Sequence, residues 1–142
     1  MKGRGFTLIE LMIALVIISV LVAVIYPSYS QYVLKAKRVD AQSSMQELSQ
    51  KLAAYKISNG SFKNIDFSSL YGDSIPKSVR DNYTLTLTDI NGVSLYKSTA
   101  ETNTWMLTAD PVNENAGTLT LDSKGKKCWY KEAYVCSNWD GN

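Results

Sequence analysis

The chain has 142 residues but no histidine, only two cysteines and only three prolines. Without histidine it lacks the commonest general base and the commonest metal ligand, and it has no glycine-rich phosphate loop. We therefore expect no catalytic residue, no metal site and no cofactor, and we rank an enzyme last among the classes of function. A structural protein and a binding protein remain.

Neither sign of charge is in marked excess, because 15 Lys and Arg residues face 13 Asp and Glu residues. A cut after Gly5 would remove Lys2 and Arg4 and leave 13 basic side chains against 13 acidic ones. A chain without net charge has no general attraction for phosphates. Nucleic acid would therefore need a local basic patch.

The cysteines, Cys128 and Cys136, lie eight positions apart near the C-terminus. They could form half of a metal site or a disulfide. The chain offers no histidine and no second cysteine pair, so the metal site is poorly supplied with ligands. A disulfide formed in an oxidising compartment is favoured, which would place the C-terminal part outside the cytoplasm.

One long apolar run extends from Phe6 to Tyr26, and its most polar members are Thr7, Glu10 and Ser19. A helix of about 20 residues crosses a hydrocarbon core of about 30 Å. A secretory signal peptide is the alternative, but this run is longer than the usual apolar core and no A-x-A site follows it. We expect a membrane span that the mature protein keeps.

Beyond Pro27 the helical pattern continues with a single apolar face. Apolar side chains recur at spacings of four and three residues, at Ala41, Met45, Leu48, Leu52 and Tyr55. This pattern predicts one helix from Thr7 to Ile57, ended by residues 58–60. Pro27 lacks an N–H group and clashes with the preceding turn, so we expect a kink or a local weakness there.

After Gly60 the pattern changes from helical to alternating. Residues 61–82 have no sustained period and predict a connecting region, whereas residues 83–89 alternate strictly and precede an Asn91-Gly92 turn signal. Further strands are predicted at residues 93–98, 104–109 and 118–122. Such a sheet needs one face covered, and the amphipathic half of the helix can cover it, so we predict an α+β fold.

Glu10 is the one carboxylate inside the apolar run. A carboxylate costs roughly 2.5 to 3.5 kcal/mol at the centre of a membrane helix. One explanation is that Glu10 lies near the end of the span and reaches the headgroups. The other is that a cut between Gly5 and Phe6 creates an α-amine, which pairs with Glu10 of a neighbouring subunit and sets their register.

Residues 5–10, Gly-Phe-Thr-Leu-Ile-Glu, resemble the prepilin peptidase site of type IV pilins and related pseudopilins. The resemblance continues through residues 26–29 and 38–42, and loosely through the C-terminal half, where it is most similar to PilE-type minor pilins. It implies cleavage after Gly5, methylation of the new N-terminus at Phe6, and roles for Glu10 and Pro27 in assembly. The implied partners are other pilin subunits, prepilin peptidase, the inner membrane and the pilus assembly machinery.

The resemblance also implies a division of the chain and a pairing of its cysteines. Residues 1–5 would be a leader, 6–27 a membrane and filament-core helix, and 28–142 a globular domain. That domain would comprise the second half of the helix at 28–58, a connection at 59–82, a sheet at 83–127 and a disulfide-bounded loop at 128–142. Related minor pilins often have a cysteine where this chain has Ala116, so Cys128 is expected to pair with Cys136 instead.

The resulting first hypothesis is a minor type IV pilin that enters or primes the pilus and supports motility, adhesion or DNA uptake. It would sit in the bacterial inner membrane with its C-terminal domain in the periplasm, and become extracellular after assembly. A type II secretion pseudopilin is an alternative, disfavoured because no YPTT segment follows the helix.

The second hypothesis is a DNA-binding or adhesive pilin subunit. Basic and aromatic side chains alternate near the C-terminus, where Lys124, Lys126, Lys127 and Lys131 surround Trp129. Such a mixture can hold a nucleic-acid strand by phosphate contacts and stacking. The alternative is a solvated, lysine-rich turn beside a core tryptophan.

Overall fold

A computed structural model describes residues 5–72, 75–132 and 134–139. Leader residues Met1–Arg4 lie outside this part of the chain. The helices are α1 (Leu8–Asn59), α2 (Phe67–Tyr71) and α3 (Lys77–Arg80), and a 3-10 turn covers Glu114–Ala116. The strands are β1 (Tyr83–Thr88), β2 (Met106–Pro111), β3 (Thr118–Asp122) and β4 (Lys127–Tyr130).

The chain forms two compact units, Met1–Lys35 and Ala36–Asn142. The first unit contains the apolar part of α1. Its apolar side chains are exposed, and its most apolar stretch of 18 residues has a mean hydropathy of 3.1. By length and composition this helix can cross a membrane. The backbone is helical through Pro27, and the kink expected there stays a prediction.

In the second unit α1 presents the predicted apolar face. Ala41, Met45, Leu48 and Leu52 are at most 1% exposed, and Tyr55 is half-buried. The helix ends at Asn59, two residues beyond the predicted end. Gly60 then adopts a φ of 78° and donates its N–H to the Lys56 carbonyl, which is how a left-handed glycine closes a helix.

The four strands form one antiparallel sheet in the order β1-β2-β3-β4. Leu85 pairs with Ala109, Ala109 with Leu119, and Leu119 with Trp129. Directly paired residues project from the same face of a sheet, so these side chains and the buried Leu87, Leu107 and Leu121 share one face. This face and the apolar stripe of α1 form the core, which confirms the α+β prediction.

The strand predicted at residues 93–98 is wrong. Only an isolated bridge between Thr88 and Ser94 forms there, because the buried Asp89 carboxylate folds the chain into a loop. Its oxygens accept the backbone N–H groups of Asn91 at 2.9 Å, Val93 at 2.8 Å and Glu101 at 2.9 Å. The partner of β1 is therefore β2, which begins two residues later than predicted, whereas the predictions for β1 and β3 are confirmed.

The sheet continues beyond the boundary expected at residue 127. Strand β4 carries Cys128, Trp129 and Tyr130, which the sequence assigned to a C-terminal loop. The connecting region contains α2 and α3, and its apolar residues Phe62, Ile65, Ile75 and Val79 join the core.

Candidate functional site

The predicted processing site adjoins the start of α1, where Thr7 and Glu10 form a reciprocal cap. The Thr7 backbone N–H and hydroxyl donate to Glu10 Oε2 at 2.8 and 2.7 Å, and the Glu10 N–H donates to Thr7 Oγ1 at 3.3 Å. This is a capping box, in which the side-chain oxygen of each residue accepts the otherwise unpaired backbone N–H of the other. Its signal, Thr followed three residues later by Glu, was present in the sequence and missed.

The capping box gives Glu10 a local function before any cleavage. Gly5 precedes Phe6, so the Phe6 nitrogen is part of a peptide bond, and the predicted pairing of its amine with Glu10 stays a prediction. Phe6 is 84% exposed and Glu10 is also exposed. Both groups are therefore accessible to a neighbouring subunit.

The predicted lysines lie on and beside the turn between β3 and β4. Lys124 and Lys126 are in the turn, Lys127 begins β4, and Lys131 follows it, and all are exposed. One oxygen of Asp122 accepts the backbone N–H groups of Lys124 and Lys126, each at 2.9 Å. We call these residues, Lys124, Lys126, Lys127 and Lys131, the lysine cluster. The Asp122 contacts fix the backbone that carries two of them.

The Trp129 ring is less accessible than an aromatic ring that stacks freely on a nucleic-acid base. The ring is half-buried, its Nε1–H donates to the Ala116 carbonyl at 3.0 Å, and the Arg38 guanidinium lies 3.7 Å from the ring centroid. Arg38 was missed as a partner of Trp129, because no spacing rule links residues so far apart in the sequence. One face of the ring is thus covered, and the proposed nucleic-acid contact of Trp129 rests on its remaining surface.

The disulfide between Cys128 and Cys136 is confirmed, with Cα atoms 5.0 Å apart. Trp129 and Ser137 exchange two backbone hydrogen bonds of 2.8 and 3.0 Å beside it. Trp139 donates its Nε1–H to the Cys128 carbonyl, and its own carbonyl accepts from Gln42 of α1. The C-terminal segment is therefore attached to both β4 and the helix, and it stiffens the strand that carries Lys127.

Two family patterns match the chain. The family described as type IV minor pilin ComP, DNA uptake sequence receptor, matches residues 27–128, and the prokaryotic N-terminal methylation motif matches residues 1–26. The chain belongs to this family of type IV minor pilins. No curated protein and no solved structure gives a significant match.

As a type IV minor pilin, the protein is a structural subunit that associates with other pilin subunits and the pilus machinery. The methylation motif and the apolar helix fit membrane anchoring followed by entry into the pilus. Within the described residues, no group of His, Cys, Asp and Glu side chains is placed to hold a metal ion.

Proposed function

We propose that prepilin peptidase cuts this minor pilin after Gly5 and that the new N-terminus, Phe6, is methylated. The methylation motif over residues 1–26 supports this step. Residues 6–27 then anchor the subunit in the inner membrane, with the second unit in the periplasm. The disulfide supports that orientation, because such bonds persist in oxidising compartments.

Glu10 and Pro27 serve assembly in this proposal. The exposed Glu10 carboxylate pairs with the Phe6 amine of a neighbouring subunit, which neutralises two charges inside a packed bundle of apolar helices. Pro27 interrupts the backbone hydrogen bonds of α1, so the helix can loosen there when the subunit leaves the membrane. The protein acts by packing and binding, without catalysis.

The pilus-associated function that the geometry supports best is DNA binding by the lysine cluster. The observation that carries it is that all four lysines are exposed and none forms an ion pair within the described part of the chain, although the Lys127 ammonium also lies 5.1 Å from the centroid of the Trp139 ring. Lysines without an ion-pair partner, in the turn and beside it, can each neutralise a phosphate and release its counterion. The family description names a DNA uptake sequence receptor, which supports the same conclusion.

The test measures binding of the full chain, in detergent, to a short blunt DNA duplex across a salt series. The slope of log K against log salt is about −0.9 per phosphate contact. The double variant Lys124→Ala, Lys126→Ala should therefore bind more weakly and with a slope shallower by about 1.8. Lys77→Ala, an exposed lysine of α3, is the matched control. Absence of duplex binding at low salt, or an unchanged slope in the double variant, contradicts the proposal.

A further inference from the structure

A cleft of about 540 Å³ opens in the second unit where three segments meet: the end of α1, residues 103–105 before β2, and the turn between β3 and β4. Two backbone hydrogen bonds tie these segments together. Phe62 donates to the Thr102 carbonyl at 2.9 Å, and Ser123 donates to the Trp105 carbonyl at 3.0 Å. The cleft is therefore built into the fold, and its volume falls in the range of ligand pockets.

The cleft combines an apolar wall with two cations. The exposed Ala53 and the small accessible parts of the largely buried Phe62 and Trp105 side chains supply apolar surface, while Lys56 and Lys124 supply the positive charges. The Lys56 ammonium lies 5.2 Å from the centroid of the Phe62 ring. The Asp122 carboxylate also lines the cleft and offsets one of the two cations, so one positive charge remains in excess.

Hydrogen-bonding groups complete the lining. The exposed Asn103 amide offers both a donor and an acceptor. Thr104 also lines the cleft, but its hydroxyl oxygen is buried, has no hydrogen-bond partner among the described residues and is not presented to a ligand. A ligand that fits this set has a flat apolar body, polar edges and a negative charge.

We infer that the cleft binds one unpaired nucleotide of a DNA strand, with the base against the apolar wall and the phosphate near Lys56 and Lys124. This inference rests on the proposed DNA-binding function, because Lys124 belongs both to the lysine cluster and to the cleft. A base inside a stacked duplex cannot enter, so only a single-stranded end or an unpaired position is bound here.

Ala53 and Ala54 provide a matched pair of variants for the test. Both are exposed residues of α1, but only Ala53 lines the cleft. Ala53→Trp fills the cleft with an indole and leaves every lysine in place, whereas Ala54→Trp adds the same ring outside it. Lys56→Gln, which removes one cation of the cleft but none of the lysine cluster, is a second, smaller change.

The probes are one blunt DNA duplex and the same duplex with a single-stranded thymidine extension, each titrated with the full chain in detergent. The wild type should bind the extended duplex about tenfold more tightly than the blunt one, the gain typical of one stacked base. Ala53→Trp should abolish that gain, Lys56→Gln should reduce it, and Ala54→Trp should retain it. The affinity for the blunt duplex should be the same in Ala53→Trp and Ala54→Trp.

The outcomes separate this inference from the proposed function. If the wild type binds both probes equally, or if Ala53→Trp keeps the gain, the inference is overturned while salt-dependent binding of the blunt duplex still supports the lysine cluster. If neither probe binds, both proposals fail. Tighter binding of an acidic, phenylalanine-containing peptide than of the extension would assign the cleft to a protein segment and overturn the inference.

Discussion

The Arg38 guanidinium lies 3.7 Å from the centroid of the Trp129 ring and joins α1 to β4. Within the described residues Arg38 stacks on the indole and forms no ion pair, and its buried Nε has no hydrogen-bond partner. Through this contact Trp129 has a structural role, because it links β4 to α1. Strand β4, the sheet edge that begins with Lys127 and precedes Lys131, is thereby held against the helix.

Replacing Arg38 with Leu should lower the free energy of unfolding by about 1 kcal/mol, because a partly exposed cation–π contact has that magnitude. Urea denaturation measures the change. Arg80→Leu, an exposed arginine of α3, is the control and should change stability by less than about 0.5 kcal/mol. Equal effects of the two variants would show that the stack on Trp129 contributes nothing to stability.

Gly117→Ala should destabilise the fold by about 2 kcal/mol more than Gly60→Ala. Both glycines have positive φ, 74° and 78°, but Gly117 also has a ψ of 147°, a combination that is nearly restricted to glycine, so its variant carries the greater backbone strain. Only at Gly117 would the added Cβ collide, since it would lie 2.8 Å from the Tyr130 carbonyl oxygen and against the Trp129 indole. Thermal unfolding of both variants tests this, and similar midpoints would contradict the packing around Trp129.

The two functions assigned to Glu10 can be separated by two substitutions. Glu10→Gln preserves the capping box, which accepts either residue, but removes the charge, whereas Thr7→Val removes the cap at a cost of about 1 kcal/mol and keeps the charge. If charge pairing guides assembly, Glu10→Gln should be depleted from sheared pili and Thr7→Val should be present at nearly normal levels. Immunoblots of pili and membranes measure this ratio. Normal incorporation of Glu10→Gln would refute charge pairing.

Reduction of the disulfide should lower the free energy of unfolding by about 2.5 kcal/mol, the loop-closure value for a bond spanning about eight residues. Chemical denaturation with and without dithiothreitol provides the measurement. The double variant Cys128→Ser, Cys136→Ser should resemble the reduced protein and show no response to dithiothreitol. A response in that variant would mean that the reductant acts elsewhere.

The contribution of the Asp89 charge to stability should be lost at acidic pH. Hydrogen bonds from the backbone N–H groups of Glu101, Val93 and Asn91 hold the pKa of Asp89 below its ordinary value of 3.8, although burial opposes this. Since the pKa is lower in the folded state, the stabilisation is complete above the ordinary value and is lost as the pH falls towards the folded-state pKa.

Asp89→Asn should accordingly be less stable than the wild type at neutral pH, and the difference should shrink below pH 3.8. Asp81→Asn, an exposed aspartate at the end of α3, is the control. Thermal melts over a pH series measure the effect. A difference that does not vary with pH would refute the contribution of the Asp89 charge.

Local patterns in the sequence determined much of the fold. The apolar run, the stripe from Ala41 to Leu52 and the alternation in β1 and β3 each arise from residues close in the chain, where helical or strand periodicity dictates which side chains share a face. The processing motif, the cysteine pair and the lysine cluster could likewise be recognised in the sequence. Each depends on residue type and short spacing.

Only the tertiary structure decided the contacts between distant residues. Asp89 replaces the predicted hairpin with a loop held by Glu101, so β1 pairs with β2. Gln42 bonds to Trp139 across 97 positions, and Arg38 covers Trp129. The cleft beside Ala53 likewise needs three separate segments to meet. Sequence periodicity does not reveal such contacts, because they depend on which elements pack together rather than on the order of residues within one element.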